Sequence, residues 1–247
     1  MKKIFYIIIG IGLWFLVNTV IMNCYPKLIC CSDGVNFQNY TVFMCDQGAK
    51  HPTLSETTDM MKTAELAIQK SEIFNPKTVF EIYIKNDKKE CLFNSRTAAN
   101  ARGLAYYKHK FFAEENFGVN NATNGTTSFQ YDRPLTSIMA HQFTHIMITD
   151  KFGWFKTRLL TLFDRHSRTS QGMLWKEEGY ADYIAQNGLT TPDLSEVDFD
   201  KLDYYKARVA VKYLIDVKRL KIKEIFAKDL ELDKVYEEAV LNLSSPD

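Results

Sequence analysis

The most constraining feature of the sequence is a pair of histidines, His141 and His145, that stand four residues apart in a largely apolar stretch. Residues at this spacing lie on the same face of an α-helix, so a helix here would bring both imidazoles to one point. Two imidazoles held in this way are common ligands of zinc in proteins. We therefore predict a metal-binding helix that begins near Asp132-Arg-Pro134 and ends at Gly153.

The residue that follows the first histidine determines what chemistry such a site can perform. In the His-Glu-x-x-His pattern of zinc proteases, a glutamate occupies this position and acts as the general base. This chain has Gln142 there, and an amide cannot take a proton from the attacking water near neutral pH. The sequence thus predicts a metal site without the residue that normally makes such a site hydrolytic.

A second stretch, residues 175–183, contains the candidate for a third metal ligand, since catalytic zinc sites usually have three protein ligands. We predict that Glu178 is this ligand. Glu177 precedes it, and adjacent helical residues point about 100° apart, so both cannot face one metal squarely. Asp182 lies four residues after Glu178 on the same face, where it could accept the second N–H of a ligand histidine and fix its tautomer.

Three other side chains are candidates for catalysis alongside Gln142. Tyr180 and Tyr183 could donate hydrogen bonds to a developing oxyanion, and the alternative is that both simply pack in the interior. Glu177 is a candidate for a displaced general base, because it is a carboxylate close to the predicted third ligand.

The N-terminus carries the second strong pattern of the sequence. Ile4 to Met22 contains no charged residue, and about 20 apolar residues can cross a bilayer as a helix. Lys2 and Lys3 favour a cytoplasmic N-terminus. We therefore predict a transmembrane anchor over residues 1–23 and a single-pass protein of the cell membrane, with the rest of the chain outside the cytoplasm. A cleaved signal peptide is less consistent with the sequence, because no small-x-small site follows the apolar run.

Composition and periodicity predict a folded α+β protein. Lysine and arginine total 31 and aspartate and glutamate total 30, so the formal net charge of +1 is too small to favour a nucleic-acid partner. After a linker or lead-in over residues 24–54, a single domain is expected over residues 55–247. Alternation and helical periodicity predict the following elements: short strands over 35–45 and 126–131, a strand over 78–85, and helices over 53–73, 174–186 and 203–243, the last region holding two or three. The expected domain thus combines a small sheet, a metal-binding helix pair and C-terminal helices.

The two motifs together resemble the gluzincin metallopeptidases, the thermolysin-like superfamily of zinc proteases. The resemblance rests on His141-x-x-x-His145 and on Glu178-Gly-Tyr-Ala-Asp182. The sequences that flank the two motifs are similar to those of membrane-anchored bacterial proteins of the peptidase MA-like group. They are Asp132-Arg-Pro-Leu before the first histidine and Trp175-Lys before the acidic pair. The resemblance is strong over residues 132–186, faint over residues 41–131 and absent from the last sixty residues.

The resemblance implies a zincin-like domain in which His141, His145 and Glu178 bind Zn²⁺, a strand lies beside the substrate, and the substrate is a peptide or protein. Gln142 departs from the family pattern and leaves three hypotheses. The chain is a metallopeptidase with a displaced base, a zinc-binding pseudopeptidase that recognises extended peptides without cutting them, or a structural membrane-anchored module.

Overall fold

A computed structural model describes residues 34–44, 54–85, 103–106, 109–113, 135–153, 174–185 and 199–243, with isolated positions 6, 10, 12–14, 16 and 17. The strands of this part are β1 (Val35–Phe37), β2 (Tyr40–Met44), β3 (Phe80–Lys85), β4 (Gly103–Tyr106) and β5 (His109–Ala113). Its helices are α1 (Leu54–Ile68), α2 (Leu135–Phe152), α3 (Trp175–Ala185), α4 (Phe199–Asp216), α5 (Ile222–Ala227) and α6 (Leu232–Leu243). The domain is therefore a mixture of helices and a small sheet.

The described strands form one mixed sheet in the order β1-β2-β3-β5-β4. β2 and β3 run parallel, with Val42 opposite Ile82, and β3 is also parallel to β5. The outer strands β1 and β4 are each antiparallel to their neighbours. β4 therefore lies at one edge of this sheet, and it also contacts α2.

Aromatic packing attaches α2 to the middle of the sheet. The ring of Phe143 lies 5.5 Å from that of Tyr40 on β2 and 5.0 Å from that of Phe80 on β3, measured between centroids. All three side chains are buried. Aromatic rings at these distances contribute both apolar burial and favourable ring contacts. These contacts hold the helix in a defined position over β2 and β3.

A glycine sets the distance between α3 and its neighbour α4. A Cβ atom built on Gly179 would lie only 2.5 Å from the backbone oxygen of Ala207 and 2.9 Å from Cγ2 of Val211. Only a residue without a side chain permits this approach. α3 also packs against α2, so it is held between the helix that carries the two histidines and the first C-terminal helix.

Most of the predicted elements that fall on described residues are present. The alternating pattern over 78–85 corresponds to β3, and the helix expected to stop at Gly153 does so, with a positive φ of 79° at that glycine. α1 ends at Ile68, earlier than predicted. The short strand expected over 35–45, within the predicted linker or lead-in, corresponds to two strands, β1 and β2. The strand expected over 126–131 lies outside the described residues, whereas β4 and β5 had no recognised sequence signal.

The predicted transmembrane helix over residues 1–23 is wrong, and so is the single-pass membrane location that depended on it. Within the part of the chain that the structure describes, no helix is both long enough and apolar enough to cross a membrane. Crossing requires about 20 consecutive apolar helical residues. The two longest described helices, α2 and α4, have 18 residues each and include charged side chains.

Candidate metal centre

Three ligand atoms from two helices meet at the contact between α2 and α3. Nε2 of His141 lies 3.1 Å from Nε2 of His145, and Oε2 of Glu178 lies 3.2 Å and 3.4 Å from these two nitrogens. The two imidazoles come from successive turns of α2, and the carboxylate comes from α3. This group is the set of residues that could hold a metal ion in the described part of the chain.

The donor set and its spacing fit a small divalent cation. Two imidazole nitrogens and one carboxylate oxygen are ligands that zinc prefers, and a tetrahedral site with metal–ligand distances of about 2.0–2.1 Å separates its ligand atoms by about 3.3–3.4 Å. The observed separations of 3.1–3.4 Å lie close to that value. The Glu178 side chain is 23 % exposed, so the group is buried without being sealed from solvent.

Asp182 contacts the first histidine on the side away from the ligand group. Its Oδ1 atom lies 2.6 Å from Nδ1 of His141, and its side chain is fully buried. If Nδ1 carries the proton and donates it to the carboxylate, the lone pair of Nε2 is free to bind a metal. The structure therefore places Asp182 where it can fix the tautomer of His141.

Glu177 contacts the second histidine in a related way. Its Oε1 atom lies 3.4 Å from Nδ1 of His145, while Nε2 of the same ring faces Glu178. The two consecutive glutamates thus approach opposite edges of one imidazole. From sequence alone, Glu177 is expected only as a displaced base. The roughly 100° step between neighbouring helical residues is the signal that could have suggested its contact with His145.

The electrostatics of the site are dominated by carboxylates around a buried imidazole. Burial by itself lowers the pKa of His145, but the nearby carboxylates of Glu178 and Glu177 outweigh it and raise this pKa to about 9. Burial likewise opposes ionisation of Glu178, yet the two histidines hold its pKa well below the ordinary value of 4.5. The metal-free site is therefore an ion pair near neutral pH, and a metal ion that bound there would have to displace a proton from His145.

The remaining predicted site residues take different positions. Gln142 is buried on α2 directly after His141. The hydroxyl of Tyr180 forms a 2.7 Å hydrogen bond with Ser71, and that of Tyr183 donates a 2.8 Å bond to Asp216. At about 100° per helical residue, Tyr180 projects from α3 about 200° away from Glu178, and Tyr183 about 140° away. The structure thus gives both hydroxyls partners on other elements.

Burial also affects the ionisation of Tyr180. Desolvation raises the pKa of its hydroxyl to about 12, although the hydrogen bond with Ser71 opposes this shift. The hydroxyl therefore stays protonated at physiological pH. Together with its buried position beside Ser71, this favours a packing role in the contact between α3 and the turn that follows α1.

Comparisons with protein-family models, with curated proteins and with solved structures give no match. The structural result at this site is the buried group of His141, His145 and Glu178, which could hold a metal ion.

Proposed function

We propose that this chain is a zinc metallopeptidase-like protein of the gluzincin type that acts on peptides or proteins, with hydrolysis impaired or absent because Gln142 replaces the general base. The observation that carries the proposal is the convergence of three ligand atoms at separations of 3.1–3.4 Å. These separations match those expected for a tetrahedral zinc site. The resemblance of the α2 and α3 sequences to the gluzincin motifs supports the same proposal.

Each residue of the site has a distinct task in this proposal. His141, His145 and Glu178 would hold the metal, and Asp182 would keep the first imidazole in the tautomer that binds it. Bound zinc would supply Lewis acidity, which polarises a carbonyl group and makes water more acidic. Gln142 can donate a hydrogen bond to a peptide or accept one from it, but it cannot remove a proton from water.

The sheet offers a surface for an extended peptide near this centre. β4 is an edge strand of the described sheet and contacts α2, the helix that supplies both histidines. Edge strands can bind a peptide through main-chain hydrogen bonds, with side-chain pockets giving selectivity. A peptide on this edge would run beside the metal-binding helix, in agreement with a peptide or protein ligand.

A second candidate function is a zinc-binding pseudopeptidase that binds peptides without cutting them. The identity of Gln142 favours it, because loss of a general base typically costs about 10²–10⁴ in rate. The engagement of the Tyr180 and Tyr183 hydroxyls by Ser71 and Asp216 points the same way. Both candidates share the metal centre and differ only in turnover.

The experiment that tests the proposal combines metal analysis with a peptidase assay on the full chain. Wild type should contain about one zinc per chain, as a His₂Glu site requires, and His145→Ala should lose it. Wild type should hydrolyse peptides poorly or not at all. Gln142→Glu should raise the rate about 10²-fold, because it restores a proton acceptor without changing side-chain volume.

Gln69→Glu is the matched control, since Gln69 is exposed in the turn after α1 and the same substitution there should change neither metal content nor rate. Bound zinc with no gain from Gln142→Glu would favour the pseudopeptidase. A wild type that binds no zinc would contradict the proposal as a whole. Robust wild-type hydrolysis that Gln142→Glu leaves unchanged would show that another residue is the base.

A further inference from the structure

The two histidines each have a carboxylate at the ring nitrogen that faces away from the ligand group. Asp182 lies 2.6 Å from Nδ1 of His141, and Glu177 lies 3.4 Å from Nδ1 of His145. Both carboxylates come from α3, the helix that also supplies Glu178. The helix α3 therefore supplies a carboxylate to both ring nitrogens, Nδ1 and Nε2, of each histidine.

The chemistry of imidazole explains why a second carboxylate matters. A neutral ring that binds a metal through Nε2 carries its proton on Nδ1, and an acceptor at Nδ1 fixes both the tautomer and the ring orientation. Asp182 serves this purpose for His141, whose Nδ1 atom lies 2.6 Å from its Oδ1 atom. His145 needs an acceptor of its own, and the carboxylate of Glu177 is within ion-pair distance.

We propose that Glu177 is a positioning residue that orients His145 for metal binding, as Asp182 orients His141. The inference rests on the proposed metal site and assigns Glu177 a role different from that of a displaced base. Its carboxylate approaches the edge of the His145 ring opposite the one that faces the other ligand atoms. There it can hold the ring through Nδ1, whereas a base for the attacking water must face the reacting group.

The test measures the zinc affinity of the full-length protein by competition with a chromophoric chelator. Glu177→Ala should weaken zinc binding by roughly 10–100-fold, the usual effect of losing a partner of a ligand histidine. Glu177→Gln should recover most of the affinity, because its amide oxygen still accepts the Nδ1 proton. This rescue separates an acceptor at Nδ1 from a side chain that only fills space.

Two further variants calibrate the measurement. Asp182→Ala removes the corresponding partner of His141 and should weaken binding to a similar degree. Glu237→Ala removes an exposed carboxylate from α6 and should leave zinc affinity within about twofold of wild type, as expected for a distant surface site. Thermal unfolding of each metal-free variant checks its fold. If Glu177→Ala does not fold, Glu177→Gln and Glu177→Asp carry the test, and Glu177→Asp should bind zinc more weakly because its shorter side chain falls short of Nδ1.

Several outcomes would overturn the inference. Unchanged zinc affinity in Glu177→Ala, when wild type binds zinc and His145→Ala does not, would remove the role of Glu177 and leave the metal site intact. Unchanged affinity with reduced peptide hydrolysis in both Glu177→Ala and Glu177→Gln would instead identify it as the base. Failure of wild type to bind zinc would end this inference together with the proposed function.

Discussion

His145 is the residue whose charge state would change if a metal ion bound the site. It is buried, and the carboxylates of Glu178 and Glu177 lie on its two nitrogens at 3.4 Å each. An imidazolium between two carboxylates is favoured over a neutral ring, even though burial opposes its charge. A proton thus occupies the place where a metal ion would bind, and the two compete.

We predict that zinc affinity rises with pH well beyond the ordinary range of histidine. The pKa of His145 is raised from 6.5 to about 9, so below pH 9 a proton must leave before the metal binds. Competition with one proton increases affinity up to about tenfold per pH unit. Chelator competition between pH 6 and 10 measures this, and a plateau already above pH 7 would contradict the raised pKa.

The same shift makes the stability of the metal-free protein depend on pH. Because the folded-state pKa of His145 is raised, its stabilising effect is present below pH 6.5 and is lost as pH rises through about 9. Glu178 has a depressed pKa, so its contribution is present above pH 4.5 and is lost as pH falls. Urea unfolding of metal-free protein should therefore show greater stability at pH 6 than at pH 9, and His145→Ala should flatten this difference.

At the scale of elements, α3 determines whether the centre can form. It carries Glu178 and both outer carboxylates, and it is held against α4 by the close approach at Gly179. Lys176, also buried on this helix, donates a 2.6 Å hydrogen bond to the carbonyl of Lys228 just after α5. The position of Glu178 thus depends on contacts with the C-terminal helices.

We predict that Gly179→Ala destabilises the protein and weakens zinc binding. Helix propensity alone would make this change stabilising by about 1 kcal/mol. The added Cβ would instead lie 2.5 Å from the Ala207 carbonyl oxygen, and overpacking of this kind typically costs about 1–3 kcal/mol. Chemical denaturation and chelator competition measure the two effects.

The origin of the clash provides a control for this prediction. Val211→Ala in the Gly179→Ala background should not restore stability, because the nearest obstructing atoms belong to the backbone of Ala207 rather than to the Val211 side chain. Full recovery would place the obstruction in that side chain. A stabilising Gly179→Ala would mean that α3 and α4 are not packed as closely as described.

At the scale of the whole molecule, the metal would connect elements that are far apart in sequence. His141 and His145 lie on α2, which packs on the sheet through Phe143, while Glu178 lies on α3, which packs on α4. Binding to all three ligands therefore joins the sheet side of the domain to its C-terminal helices. A ligand that binds only the folded state stabilises the fold by mass action.

We predict that zinc raises the midpoint of thermal unfolding and that a chelator lowers it. At a free zinc concentration 100 times the dissociation constant, the stabilisation is about 2.7 kcal/mol. Differential scanning calorimetry with and without chelator measures the shift. His145→Ala should show none, and an equal shift in that variant would indicate that zinc binds elsewhere.

Local patterns in the sequence were sufficient for several helices, for strand structure over 35–45 and 78–85, and for the group of His141, His145 and Glu178 that could hold a metal ion. The four-residue spacing of His141 and His145 depends only on helical geometry, and the alternation over β3 depends only on the pleat of a strand. Gly153 ends α2 because glycine tolerates the positive φ found there. The apolar N-terminal run was misleading, since hydropathy alone does not establish a membrane-spanning helix.

Other features were decided only by the tertiary structure, because they depend on how separate elements are rotated and spaced. The sheet order, with β4 at an edge beside α2, follows from pairing between distant segments. Helical spacing indicated that Asp182 and Glu178 share a face, but the packing of α3 between α2 and α4 determined that Asp182 meets His141 while Glu178 meets both histidines. The placement of Glu177 beside His145 has the same cause. Only after α2 and α3 pack together does the one-residue step from Glu178 to Glu177 place the second carboxylate at Nδ1 of His145.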